Sequence, residues 1–392
     1  MRQSPIYKAL IWGLLFLSLF LLFKLTPILV KPAYIPVDDF VRHWAAGRLL
    51  ISGGNPYSSP EIQVFQDQAS GSTAKSAVIT PNYIPPWTMP LLAVFSLADY
   101  PVSRLVWLLF NVAVLLLSAE LLWKLYGGPV HYKWIAWVVC FSFGPTISVL
   151  GKGQTSCLIL LGIAGFLFFT EFKPNGWIAG AFVALITIKP QVFYLFWPIF
   201  LFWLLKYRRM STFLGCSATI LIASAFTLLF DRQIFIEYLN ALKFNPPSMF
   251  ATPTIGGYLR YFLYGGDQFW LQFIPIILGL IWGAVYLRNH HSTWLWSKDI
   301  PLLLLVSILT SSYNWTYDQV VLVVPVMQAW VWLIPPDGKW KSRVLILAHF
   351  LLSFLDLILH RYYDDFWFIW FAPATLLWYL FVKQKMKQNE QT

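Results

Sequence analysis

Charge is what this sequence has least of. Of 392 residues only 17 are Asp or Glu and 11% are charged in all, against 58% hydrophobic and 19% aromatic. Soluble domains typically carry about a quarter charged residues, so a soluble fold is excluded, and the mean hydropathy of +0.63 agrees. Low-complexity tracts and a strong internal repeat are also missing. Cysteine is scarce: Cys140, Cys157 and Cys216 each lie inside an apolar run, far from metal-ligand or disulfide spacing, and read as packing residues. No tight carboxylate or histidine cluster is visible, so neither a metal nor a cofactor is expected. The 28 Lys and Arg residues give a formal charge of +11, but they stand singly between apolar runs instead of gathering on one surface. That pattern argues for membrane orientation and against a nucleic-acid partner.

What is there is a succession of apolar runs, most about 17 to 25 residues long, the length that crosses about 30 Å of hydrocarbon as a helix. The expected crossings are 9–30, 101–125, 134–150, 155–171, 176–188, 191–206, 211–230, 270–287, 300–312, 318–334, 343–360 and 366–382. They make residues 1–392 a single all-α polytopic membrane domain of about twelve transmembrane helices. Runs 176–188 and 300–312 are short for a crossing and are expected to be broken or to lead into a loop at membrane depth. The basic start Met1 to Lys8 and apolar Ala9 to Phe23 imitate a signal peptide, but Lys24-Leu25-Thr26-Pro27 offers no small-residue cleavage site, so an uncleaved first span is expected.

Alternating the loops gathers Lys124, Lys133, Lys173, Lys206, Arg208, Arg209, Arg288 and Lys339 on the side of the N-terminus, and Asp38, Asp39, Glu61, Asp99, Asp231, Glu237, Asp318 and Asp365 on the other. By the positive-inside rule both termini are cytoplasmic, in a plasma-membrane protein whose carboxylates face outward. Two outer loops are long, 31–100 and 231–269, and are the natural carriers of function.

The first of these opens with Asp38-Asp39-Phe40-Val41-Arg42-His43-Trp44-Ala45-Ala46-Gly47-Arg48 and then Gly53-Gly54-Asn55-Pro56-Tyr57. The pattern predicts a short surface helix begun by an Asp and stopped by glycines, with Asp39 and His43 on one face. An Asp at the membrane interface suits a general base, because partial desolvation raises its pKa toward working pH; the plainer reading is that both aspartates only cap the helix. Next, Tyr83-Ile84-Pro85-Pro86-Trp87 and the apolar Met89 to Ala98 predict a re-entrant or interfacial segment, or a loop packed on helix ends.

Further on, Gly151-Lys152-Gly153-Gln154 reads as a turn opening a helix. Lys152 is there an anion ligand or a lysine reaching to the interface. Ile188-Lys189-Pro190-Gln191 interrupts an apolar stretch of about thirty residues. A lysine at such a break is a functional candidate with a lipid phosphate as partner, against a plain hairpin corner. Ser311 to Gln319, with Tyr313, Trp315, Tyr317 and Asp318, mixes aromatic faces and hydrogen-bonding groups as a sugar site does, and as an interfacial aromatic belt also does. His349 and Asp356 read as helix-to-helix polar contacts.

Taken in order, Asp39-Phe40 with Trp44-Ala45-Ala46-Gly47-Arg48, Gly53-Gly54-Asn55-Pro56-Tyr57, Tyr83-Ile84-Pro85-Pro86, Gly153-Gln154, Ile188-Lys189-Pro190-Gln191 and the Trp315 to Asp318 turn resemble glycosyltransferase family 87, which includes polyprenol-phosphate-mannose-dependent mannosyltransferases. The resemblance implies a GT-C fold, an outward active site, a polyprenyl-phosphate sugar as donor, and a lipid, glycan or protein as acceptor. It implies Asp39 as catalytic base, with Asp38 the alternative if the helix start shifts by one residue. Lys189, Lys152, Arg42 and Arg48 are then the candidates for the donor phosphate. His43, Asn55, Tyr57, Tyr83, Gln154, Gln191, Trp315, Tyr317 and Asp318 are the candidates for sugar and acceptor. Some family members have histidine in the last turn, where this chain has Tyr317-Asp318. A secondary transporter or lipid flippase is the rival reading, since intramembrane lysines and broken helices also describe carriers; a glycan polymerase or ligase is a second.

Overall fold

The computed structural model describes residues 37–70, 82–247, 250–334 and 340–391. The expected first crossing, 9–30, lies outside them. Among the described residues the fold is helical with no strand. The elements are α1 (Phe40–Ser52), α2 (Ser59–Ser70), α3 (Met89–Phe95), α4 (Tyr100–Leu125), α5 (Lys133–Ser142), α6 (Gly144–Lys152), α7 (Ser156–Leu167), α8 (Gly176–Ile186), α9 (Phe196–Lys206), α10 (Met210–Phe230), α11 (Ile234–Phe244), α12 (Ile255–Tyr264), α13 (Ile274–His290), α14 (Trp296–Thr310), α15 (Val323–Leu333), α16 (Trp340–Leu359) and α17 (Phe371–Gln391).

Five helical segments among the described residues are long and apolar enough to cross a bilayer: Tyr100–Leu125, Met210–Phe230, Phe269–His290, Trp340–Leu359 and Asp365–Met386. A sixth arises if α5 and α6, bent by 64° at Phe143-Gly144, count as one. The other expected crossings depart from the hydropathy pattern. The run 155–171 ends as a helix at Leu167 and continues as a π turn, 176–188 stops at Ile186, and 191–206 becomes helical only at Phe196. The run 300–312 belongs to a helix that starts earlier, at Trp296, and ends at Thr310, and 318–334 begins as a 3-10 turn. The interruptions at 187–191 and 313–318 line a cavity, where neighbouring groups can satisfy the freed backbone.

Short helices pack closely where glycine permits it. A Cβ on Gly180 would lie 2.1 Å from the Thr212 carbonyl, and one on Gly215 would lie 2.3 Å from that of Trp177, so α8 and α10 touch backbone to backbone. Gly47 does the same for α1 against α3: its Cβ would meet Leu92 O at 2.9 Å. The apolar stretch after the prolines is therefore a short helix packed on the surface helix. Trp87 Nε1, just before it, donates to Thr187 Oγ1 at 2.9 Å and ties it to the α8–α9 break. Cys140 and Cys157 are buried and Cys216 half-buried, all unpaired.

Candidate active site

A cavity of about 960 Å³ opens where four irregular segments meet: the start of α1, the α6–α7 turn, the break at 187–191 and the turn at 313–318. The α6–α7 turn is set by α4. Arg104 Nη2 donates to Leu150 O and Gly151 O at 2.8 and 3.2 Å, and Trp107 Nε1 to Gly153 O at 2.8 Å. Gly153 ends α6 at φ +64°, and a Cβ there would strike Phe40 Cβ at 2.7 Å, so only glycine lets this turn approach α1. Lys152 is thus the last residue of α6, not part of a turn that opens the next helix.

The two adjacent aspartates part company here. Asp38 points inward: its Oδ2 accepts from Arg104 Nε at 2.7 Å, and its Oδ1 accepts from the Phe40 amide at 3.0 Å and the Tyr100 hydroxyl at 3.4 Å. It is the capping carboxylate of α1, while the Asp39 side chain caps nothing. Asp39 turns to the cavity, where Oδ1 accepts from Arg42 Nη2 at 2.5 Å and Oδ2 from Gln154 Nε2 at 2.8 Å. Its side chain is 31% exposed against 11% for Asp38.

Their acidities also diverge, and not as desolvation alone predicts. Burial pushes the Asp39 carboxyl up, but the Arg42 charge, the Gln154 hydrogen bond and the Lys152 charge outweigh it and hold Asp39 below its ordinary value. The expected upward shift falls instead on Asp38, where burial prevails over Arg104. Asp39 is thus an ionised, stabilised carboxylate.

From Asp39 a polar chain runs across the floor. Lys189 Nζ spends its three N–H groups on Gln154 Oε1 (3.1 Å), Ser156 Oγ (3.1 Å) and Asp318 Oδ1 (2.8 Å). Gln154 therefore presents its carbonyl to the ammonium and its amide N–H to Asp39; the reverse orientation would set like against like. Asp318 is almost fully buried, accepts from Ser156 Oγ and the Trp315 amide, and anchors Lys189 more than it faces the cavity. Lys152 Nζ lies 3.2 Å from Asp365 Oδ2, and both lysines sit over the Tyr317 ring, 4.8 Å from its centroid for Lys189 and 5.6 Å for Lys152. Three cations thus ring the cavity, each neutralised by its own carboxylate.

Beside the cations the wall is aromatic. Trp315 stacks on Tyr317 with centroids 6.2 Å apart, and Phe250 sets its edge against Trp315 at 5.9 Å and Tyr83 at 6.3 Å. The phenols of Tyr83 and Tyr313 donate to Asn245 O at 2.9 Å and Pro247 O at 2.8 Å, drawing the second long loop over the site. Gln191, Tyr238 and Leu242 also line it, as does Asp67, whose Oδ1 accepts from Gln63 Nε2 at 2.7 Å.

Of the residues singled out in the sequence, Asp39, Asp38, Arg42, His43, Lys152, Gln154, Lys189, Gln191, Tyr83, Trp315, Tyr317 and Asp318 line one cavity. Arg48, Asn55 and Tyr57 do not. Arg48 lies 3.5 Å from Asp99 and over Trp44, Asn55 Oδ1 accepts the Tyr57 amide at 2.8 Å, and the Tyr57 hydroxyl donates to Ile84 O at 2.8 Å. All three build the loop that carries the site. His43 lines the cavity but is buried, and burial pushes its pKa down to about 3, so the imidazole is neutral. Arg104, Ser156 and Asp365 were missed by sequence reasoning. Arg104 alone gave a signal, as an ionisable residue within the expected crossing 101–125.

The family model for glycosyltransferase family 87 matches residues 83–312, more than half of the chain and the part that holds Lys152, Gln154 and Lys189. The chain belongs to glycosyltransferase family 87. It is thereby a membrane glycosyltransferase with sugar donor and acceptor substrates, not a transporter or flippase. No curated protein and no solved structure matches it.

Proposed function

We propose that this family 87 glycosyltransferase moves a hexosyl unit, mannosyl in the first instance, from a polyprenyl-phosphate donor to an acceptor hydroxyl on the outer face, with inversion and with Asp39 as general base. The observation that carries the reading is the cavity's division of labour. Among the described residues Asp39 faces it beside Gln154, Arg42, Lys152 and Lys189 ring it, an aromatic wall lines it, and the further carboxylate on its rim, Asp67, is turned to Gln63. In this reading the fold is of the GT-C type, with about twelve crossings in the plasma membrane and both termini cytoplasmic.

Asp39 Oδ2 takes the proton of the acceptor hydroxyl as its oxygen attacks the anomeric carbon. The bond from that carbon to the phosphate oxygen breaks on the opposite side, and its electron pair leaves with the phosphate. The phosphate gains one negative charge as Asp39 loses one, so the site's total charge is unchanged. No general acid is needed, and the developing charge is met by Arg42, Lys189 and Lys152 instead of a metal. A donor phosphate that draws Arg42 from Asp39 also restores basicity to the carboxylate at the moment it is needed. The aromatic wall of Tyr83, Trp315 and Tyr317 supplies faces for pyranose C–H surfaces, and Gln191 a hydrogen-bonding amide.

The test is transfer of labelled sugar from polyprenyl-phosphate donors in membranes with matched expression. Asp39→Asn should lower the transfer rate about 10²- to 10⁴-fold, the usual weight of a general base, and leave the extracted protein as heat-stable as wild type. Loss in Asp38→Asn with full activity in Asp39→Asn would move the base to Asp38. A folded wild type that transfers from no polyprenyl-phosphate donor would end the donor assignment.

A further inference from the structure

Lys152 and Lys189 look alike from the cavity but are held differently. Lys189 is anchored by neighbours that themselves line or floor the site. Lys152 is anchored from behind, by a carboxylate that does not line the cavity: Asp365, 4% exposed where Lys152 is 42% exposed. Asp365 Oδ2 accepts from Lys152 Nζ at 3.2 Å, and Oδ1 meets His360 Nε2 at 3.1 Å. His360 Nδ1 in turn lies 2.8 Å from the Asp356 carbonyl oxygen and 3.5 Å from Asp356 Oδ1. A carbonyl and a carboxylate only accept, so both ring nitrogens must donate, and the ring that satisfies both contacts is an imidazolium. Its position is fixed by Phe368, whose ring stacks on it with centroids 3.5 Å apart. A buried carboxylate pinned by a rigid imidazolium on one oxygen leaves its other oxygen at one place, and that place holds the lysine.

We infer that Asp365, braced by His360, is a positioning residue that holds the Lys152 ammonium on the cavity wall for the anionic phosphate of the donor. This rests on the reading of the cavity as a phosphate-linked donor site. It assigns a task to the loop between α16 and α17, which lies outside the family match and touches the cavity through Lys152. Freed from Asp365, Lys152 has a flexible stem and only the Tyr317 face to hold it, so its charge spreads over more of the cavity mouth and the phosphate meets less of it.

Asp365→Asn should raise the KM for a polyprenyl-phosphate sugar on the order of tenfold, the weight of one charge-assisted hydrogen bond, with kcat changed less. In a Lys152→Met background the same change should have no further effect, because the residue it positions is gone. His360→Gln should raise KM by less, and again only when Lys152 is present. It serves as the second probe if Asp365→Asn does not fold. Independently of transfer, an amine-acylating footprint read by mass spectrometry should label Lys152 several-fold faster in Asp365→Asn than in wild type, because the ion pair that holds its amine is gone. Additive effects of Asp365→Asn and Lys152→Met on KM, or an unchanged Lys152 footprint in a folded Asp365→Asn protein, would overturn the positioning role. Faster labelling with no transfer by any form would spare it and refute the donor reading.

Discussion

The helices around the cavity and those that face away from it obey different rules. α7 is apolar yet almost wholly buried, and α6, α8 and α15 are 9 to 11 residues long; α6 and α8 end at turns that deliver Lys152 and Lys189, and α15 begins from the 3-10 turn that carries Asp318. α10 runs unbroken for 21 residues with 11% of its apolar window buried, and Leu221 and Ile222 are 67% and 72% exposed on it. Lipid asks a helix to satisfy every backbone group within itself, which enforces length and regularity. A protein-lined cavity relaxes that demand, and the chain uses the freedom to put Lys152, Gln154, Lys189 and Asp318 at broken ends.

The sharpest break in that contrast should come from Arg104, which holds the α6–α7 turn beside the cavity. Arg104→Met strands the buried Asp38 carboxylate and releases the Leu150 and Gly151 carbonyls. Removing one partner of such a pair typically costs about 3–5 kcal/mol, so thermal unfolding of the extracted protein should drop markedly and transfer should fall with it. Gly180→Leu tests the seam between the two regions, where α8 meets α10 without room for a Cβ. Overpacking of this kind costs about 1–3 kcal/mol, and a thermal melt unchanged from wild type would show that the helices stand further apart.

A smaller effect belongs to the long loop 231–269. Burial, then neighbouring Asp231 and Glu61, push Glu237 up from an ordinary 4.5 to about 7. Its folded-state value is raised, so between about pH 4.5 and 7 the folded loop holds a proton that the unfolded chain releases, and stability falls as pH rises through that window. Glu237→Gln should flatten that decline in amide-exchange protection of residues 231–244; an equally steep decline in the variant would assign it to other groups. Least of all should Leu221→Ala matter, because the side chain meets lipid in either state. A shift within about 0.5 kcal/mol is expected by thermal melt, and a loss of several kcal/mol would mean that α10 packs against protein on that face.

Much of this was legible in the residues. Hydropathy alone excluded a soluble fold, and 101–125 and 211–230 coincide closely with α4 and α10, since in both an apolar run of full length meets no proline or ionisable residue that breaks it. Lys152, Lys189 and the Trp315 to Asp318 turn stood out because a polar or charged group beside an apolar run is costly and must have a partner. The sequence offered less on how long each helix would be. Run 134–150 carries Gly144-Pro145 at its break, but the 64° bend there, like the late start of the helix in 191–206 at Phe196, was not to be read from hydropathy.

Composition, periodicity and order of motifs by themselves determined a helical membrane protein of family 87, with many of its ionic groups gathered at helix ends and in loops. Only the tertiary structure decided between neighbours that the sequence makes equal. Asp38 and Asp39 differ by one position along the chain, about 100° around a helix. That turn gives one to Arg104 and the fold, and presents the other to the cavity with Gln154. It decided, too, that burial would not set the acidity of Asp39. The effect of desolvation can be guessed from a membrane sequence, whereas the opposing charges of Arg42 and Lys152 come from residues 3 and 113 positions away, whose distances exist only once the chain is folded.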